Sequence, residues 1–225
     1  FTVEAMASNA LCTPESVAAH MLYENADPFV LYEPGGYMDV KNANYKQEDN
    51  GKVRVNGAKW YNADNYNVKL EGAKITGYQT SLLALLREKN YVENAKTWVN
   101  NLSIFLEKQI EQKMELETSL YSLEFRIIGV NGTLGDLETK VNIPTEVGIL
   151  CIITSPKASV SNEIAKLINP FLLHYPLTNN EELPTFAFPY SPVHSERGAV
   201  YEFALNHTLQ LNHPMEVFKI ETLEV

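Results

Sequence analysis

Two cysteines in 225 residues, Cys12 and Cys151, are too few and too far apart for a disulfide framework or a zinc-ligand spacing, so a reducing cytoplasm is the expected setting. No H-x-H, H-E-x-x-H or C-x-x-C occurs, and no metal centre is expected from motifs. Basic residues are scarce as well. Eighteen Lys and Arg against 28 Asp and Glu leave a net charge of −10, the wrong sign for a chain that tracks phosphates along nucleic acid. No apolar run approaches the ~20 residues of a spanning helix, and no basic amphipathic stretch marks a membrane surface. The glycines form no phosphate cradle: "EPGGYMD" lacks G-x-G-x-x-G, and "NGTLGDLE" lacks the Lys-Ser/Thr of a P-loop. Both read as turns, and no cofactor is identified. An initiator Met and a targeting sequence are missing from "FTVEAMASNA", from which a further upstream portion is expected.

What is present is an ordinary globular mixture, 45% hydrophobic and 20% charged, long enough to bury a core unaided. In "LCTPESVAAHMLYEN" Thr13 is a natural N-cap, Pro14 the first helical residue, and Val17, Ala18, Met21 and Leu22 the apolar side. "KVRVNGAKW" and "YNVKLEGA" alternate as short strands. Residues 1–72 therefore read as a helix and a small β segment, completing an upstream domain.

The remainder is expected to be α+β. "AKITGYQTSLLALL" reads as a strand, and Tyr91, Ala95, Trp98, Leu102, Phe105, Ile110 and Met114 mark a long amphipathic helix. "YSLEFRI" alternates as a half-buried edge strand, whereas "VGILCIITS" is apolar throughout, as befits a strand covered on both faces. "SVSNEIAKLI" is a helix stopped at Pro170, and "VYEFALNHTLQL" alternates again. The order predicts a ferredoxin-like βαββαβ layer over residues ~73–212, strand order 4-1-3-2, with the N-terminal helix and β segment packed against it. A second domain over 73–225 would then carry a long loop at 170–198. The oily back of the sheet calls for a cover: residues 1–72, the upstream portion, or a second copy in a homo-oligomer.

Two constellations could carry chemistry. Ser16, His20, Tyr23, Glu24 and Asp27 form a polar stripe on which His20 and Glu24 lie one turn apart, an acid–base pair or a solvated helix face. "SPVHSERGAVYEFALNH" brings His194, Glu196, Arg197 and His207, either a site or the polar hem of a sheet. Lys69, Glu71 and Tyr78 could reach a ligand from strand ends. A metal site of His174, His194 and His207 is a further alternative.

Five segments, "CTPESVAAHMLYENADPF", "EPGGYMDV", "KVRVNGAKW", "YNVKLEGAKITGYQT" and "SPVHSERGAVYEFALNH", resemble in order and spacing the C-terminal half of the acyclic terpene utilisation (AtuA-like) family. The resemblance implies a missing upstream half of the same protein, a ferredoxin-like portion toward the C-terminus, and catabolism of branched acids handled largely as coenzyme A esters; it does not supply a reaction type, for which a lyase or hydratase is the expectation. Taken with the polar stripe beside Pro34-Gly35-Gly36, it makes His20 and Glu24 the catalytic candidates, with Lys69 or Arg197 to hold an acid group. Tyr23, Asp27, Asp39, Lys69, Tyr78, Glu196, Arg197 and His207 become substrate-binding candidates, with Gly35, Gly36, Gly72 and Asn206 beside them. A non-catalytic assembly or ligand-holding module stands as the alternative.

Overall fold

The computed structural model describes residues 1–7, 9–21, 27–48, 51–140, 143–180 and 186–223. The chain divides into two units, Phe1–Ala73 with Phe203–Val225, and Lys74–Glu202. Helices and antiparallel sheets occur together, an α+β architecture.

The first unit begins with β1 (Thr2–Glu4) and α1 (Pro14–Met21). The helix starts where its capping chemistry dictates: the Ser16 amide donates to Thr13 Oγ1 at 3.2 Å, satisfying one of the amides left free at a helix start. Strands β2 (Val30–Glu33), β3 (Gly36–Asp39), β4 (Asn44–Glu48), β5 (Lys52–Asn56) and β6 (Lys59–Asn62) follow. They form two three-stranded sheets, β1-β5-β4 and β2-β3-β6. Val53 and Val55 alternate inward and pack with Cys12 and Val17 as the unit's small core. Four of these strands escape sequence reading because each is only three to five residues long. The tight turn between β2 and β3 needs Gly35 at φ +84°, and the buried Asn67 pins it by accepting the Gly35 amide at 2.6 Å.

"YNVKLEGA" and "AKITGYQTSLLALL" are one 20-residue strand, β7 (Asn67–Leu86), rather than two. Gly77 lies within it. A Cβ there would meet Ser155 O at 3.0 Å and Thr154 Cγ2 at 3.1 Å, so this glycine marks close backbone approach within a sheet.

The second unit continues with α2 (Lys89–Glu93), α3 (Ala95–Met114), β8 (Ser122–Ile128), β9 (Val147–Ser155), α4 (Ala158–His174), β10 (Phe186–Ala187) and β11 (His194–Gln210). The amphipathic helix is thus broken once, at Asn94. Trp98, Leu102, Leu106 and Ile110 of α3 pack with Ile164, Ile168 and Leu172 of α4 over Ile149, Cys151 and Ile153 of β9. Burial raises the pKa of the Cys151 thiol, which keeps it protonated and inert.

Pro170 does not stop α4, which runs on to His174. An interior proline costs ~3 kcal/mol, but the turn beyond it buries Leu172 and sets Phe171 edge-on against Phe105 at 4.9 Å. The stretch 170–198, expected as one long loop, therefore holds the end of α4, then β10 and the start of β11. The sheet also differs from the simple expected order. Its path is β10-β7-β9-β8, with β11 off that path and paired to β7. Strand β7 is long enough to hold both, since β10 occupies only Leu85 and Leu86. "VGILCIITS" lies between β7 and β8. Its inner face is fully buried against the helices, while Leu150 and Ile152 on the outer face are half-buried.

Candidate functional site

Within the first unit, a cleft of about 340 Å³ is lined by Asp27, Val30, Leu31, Tyr32, Lys69 and the Asn206–Thr208 segment, including His207. Three candidates from three distant stretches, Asp27, Lys69 and His207, thereby share one cavity. Strand β2 supplies the apolar wall, because Val30 and Leu31 follow directly on the turn that Asp27 organises. Asp27 Oδ1 accepts the amides of Phe29 at 2.7 Å and Val30 at 3.2 Å.

Lys69 is the electrostatic centre. Its Nζ lies 2.9 Å from Glu33 Oε1 and 3.2 Å from Glu71 Oε1. The hydrogen bond to Glu33 is the main cause of its raised pKa; partial burial opposes the rise and Glu71 adds to it. An ammonium has three donors, and two are engaged, which leaves one for a ligand. Two carboxylates against one cation make this corner net negative. A neutral carbonyl or hydroxyl suits it better than a second carboxylate.

The sign of the pH effect follows. A lysine pKa raised in the folded chain contributes stability that is fully present below the ordinary lysine value of 10.5 and is lost as pH rises through the folded value. Thermal unfolding of the wild type and Lys69→Met should therefore differ at pH 8 to 9 by about 1 kcal/mol or less, as for other half-exposed pairs. The two curves are expected to converge above the lysine range. A gap that widens with alkalinity contradicts the assignment.

The other candidates are dispersed. His20 sits exposed on α1, and Tyr23 and Glu24 lie outside the described residues. Asp39 serves a turn, its Oδ1 accepting the Lys41 amide at 2.9 Å. Tyr78 is half-buried on β7 opposite Ser155. Glu196 accepts a hydrogen bond from Asn162 of α4, while Arg197 lines a different cavity in the second unit. Among the described residues no three His, Cys, Asp or Glu side chains are gathered to hold a metal, so no cluster supports the His174, His194 and His207 alternative. No described helix is long and apolar enough to cross a membrane. Sequence reading missed Val30, Leu31, Tyr32, Glu33 and Thr208. The short apolar run Val30-Leu31-Tyr32 was the available signal, obscured by its length.

Fold and cleft together define an α+β protein with a small, mostly apolar cavity held by a lysine and a histidine. The chain matches the family described as acyclic terpene utilisation family protein AtuA over residues 2–190, and it belongs to that family. The match ends ahead of "SPVHSERGAVYEFALNH", the last of the five segments that carried the resemblance. No curated protein and no solved structure matches the chain.

Proposed function

We propose that the chain serves as an enzyme of branched organic acid or acyl-CoA catabolism, of lyase or hydratase type, and that the first-unit cleft holds the acyl part of a coenzyme A ester. The observation that supports this is the convergence of Asp27, Lys69 and His207 beside Val30, Leu31 and Tyr32 in a chain of the acyclic terpene utilisation family. Each CH₂ buried against that wall contributes ~0.8 kcal/mol. The remaining Lys69 donor polarises the thioester carbonyl, a group that carries no charge to clash with Glu33 and Glu71.

Hydration of a double bond conjugated to that carbonyl places the water oxygen on the β-carbon and a proton on the α-carbon. The His207 imidazole takes a proton from the attacking water and passes it to the α-carbon, and elimination is the reverse. His20 with Glu24 is the alternative acid–base pair. The second unit is read alongside this as an elaborated ferredoxin-like layer, on the strength of two helices over a sheet whose central strand is β9.

The test uses 3-methylbut-2-enoyl-CoA and follows loss of the conjugated thioester absorbance. Lys69→Met and His207→Ala are each expected to lower turnover at least tenfold, about 1.4 kcal/mol. Full turnover in both removes the cleft from the mechanism. Unchanged turnover in both His20→Ala and Glu24→Ala removes the alternative pair. A ligand-holding, non-catalytic role is the second reading, favoured by the engagement of Lys69 with two glutamates. Its signature is probe binding that Lys69→Met weakens, with no conversion.

A further inference from the structure

We infer that the second unit carries a separate ligand cleft on the outer face of its sheet, built to take a small amphipathic carboxylate. The cavity has a volume of about 600 Å³, within the range of about 300–1,000 Å³ typical of small-molecule sites. Its floor is aliphatic: Leu83 of β7, Leu150 of β9 and Ile128 of β8. Leu83 and Leu150 are direct cross-strand partners, and Ile128 lies one strand further on, opposite Gly148. Three neighbouring strands span about 10 Å, the reach of an extended chain of about eight carbons. Gly148 keeps this floor continuous. A Cβ there would stand 3.3 Å from Ile128 Cβ and 3.5 Å from Leu83 Cδ1, so its absence lets the two side chains approach each other.

The segment Tyr190–Ser195 walls the cavity, and Arg197 of β11 completes it. Strand geometry explains which charge arrives. Successive side chains point to opposite faces, so Glu196 turns to the helix side and bonds Asn162 while Arg197 turns to the outer side. Arg54 and Arg126 are each paired with a glutamate, at 2.5 Å and 2.7 Å. The exposed Arg197 side chain, like that of Arg87, has no ion pair or hydrogen bond among the described residues, in a chain that carries ten more acids than bases. An unpaired guanidinium at the end of an aliphatic floor is the complement of a carboxylate on an apolar tail, which it can hold through two parallel N–H bonds. His194, the first residue of β11, also lines the cavity. The charge logic is opposite to that of the first-unit cleft, where two glutamates already engage the cation. The inference therefore does not rest on the function proposed above.

The test is a methyl NMR titration of this chain with octanoate, using octanol as the uncharged control. Octanoate is expected to shift the methyls of Leu83, Ile128 and Leu150 saturably, with octanol at least tenfold weaker. Arg197→Gln should bring octanoate down to the level of octanol, and Arg197→Lys should restore part of the difference. Lys69→Met and His207→Ala should leave this binding unchanged, which separates it from any failure of the first-unit cleft. Shifts confined to Val30 and Leu31, equal affinity for acid and alcohol, or an Arg197→Gln variant that binds like wild type would each overturn the inference. So would shifts of the three methyls on raising protein concentration without ligand, because a second copy would then occupy the face.

Discussion

Trp98→Ala is expected to unfold the second unit at a much lower denaturant concentration than the wild type, with a loss of about 3–5 kcal/mol. Trp98 is only 1% exposed and is the largest fully buried side chain of the core. Its ring meets Tyr91 edge-on at 6.1 Å. Its Nε1–H donates to the Tyr175 carbonyl at 2.9 Å, tying α3 to the residue that closes α4. Removal leaves both a cavity and an unsatisfied carbonyl, and neither α3 nor α4 can close over the space without leaving the sheet. Trp98→Phe refills most of the volume but not the hydrogen bond, and a cost of about 1–3 kcal/mol is expected. Ile104→Ala, on the exposed side of the same helix, should change stability by no more than about 0.5 kcal/mol. Equal midpoints for the Trp98→Ala and Ile104→Ala variants would show that α3 is not anchored through Trp98.

Gly36→Ala is the second large effect, confined to the first unit. A Cβ on Gly36 would lie 2.1 Å from the Tyr61 carbonyl oxygen and 2.8 Å from the Trp60 ring. Those atoms belong to β6, the strand paired with β3, so the clash cannot be relieved by rotating one flexible side chain. Overpacking usually costs about 1–3 kcal/mol, and a backbone collision belongs at or beyond the upper end. Amide exchange in β2, β3 and β6 should accelerate on the order of 100-fold, while β8 and β9 keep their protection. Because β2 bears Val30, Leu31 and Tyr32, the first-unit cleft should be lost with it. Gly35→Ala is the contrast. It meets nothing within 4 Å, and its cost comes only from the left-handed φ, about 1–2 kcal/mol. Wild-type protection in the Gly36→Ala variant, or a larger loss in Gly35→Ala, would contradict the crowding argument.

Much of the second unit was legible because its signals are local. The stripe through Trp98, Leu102 and Ile110 predicts the buried side of α3, since the periodicity is the helix's own. The alternation of Leu123, Phe125 and Ile127 likewise predicts the inner side of β8. Errors fell where a residue's local preference was overridden by packing. Pro170 argues for a helix end, but the burial of Leu172 beyond it prevails. Gly72 argues for a break between strands, but one strand runs through it.

The candidate site shows the same division. Its residue types were legible one by one, but their partners were not: Lys69 meets Glu33 across 36 positions, and His207 reaches the Asp27 cleft from 180 positions away. The sequence by itself determined the helical faces, the greasy central strand, the Thr13 cap and the net negative charge, all set by neighbouring residues or by composition. Only the tertiary structure decided that Asp27, Lys69 and His207 share a cavity, that Glu196 meets Asn162 of α4, and that Arg197 lines a cavity with Leu83 and Leu150. Proximity of distant residues depends on strand pairing and register, which no local periodicity encodes.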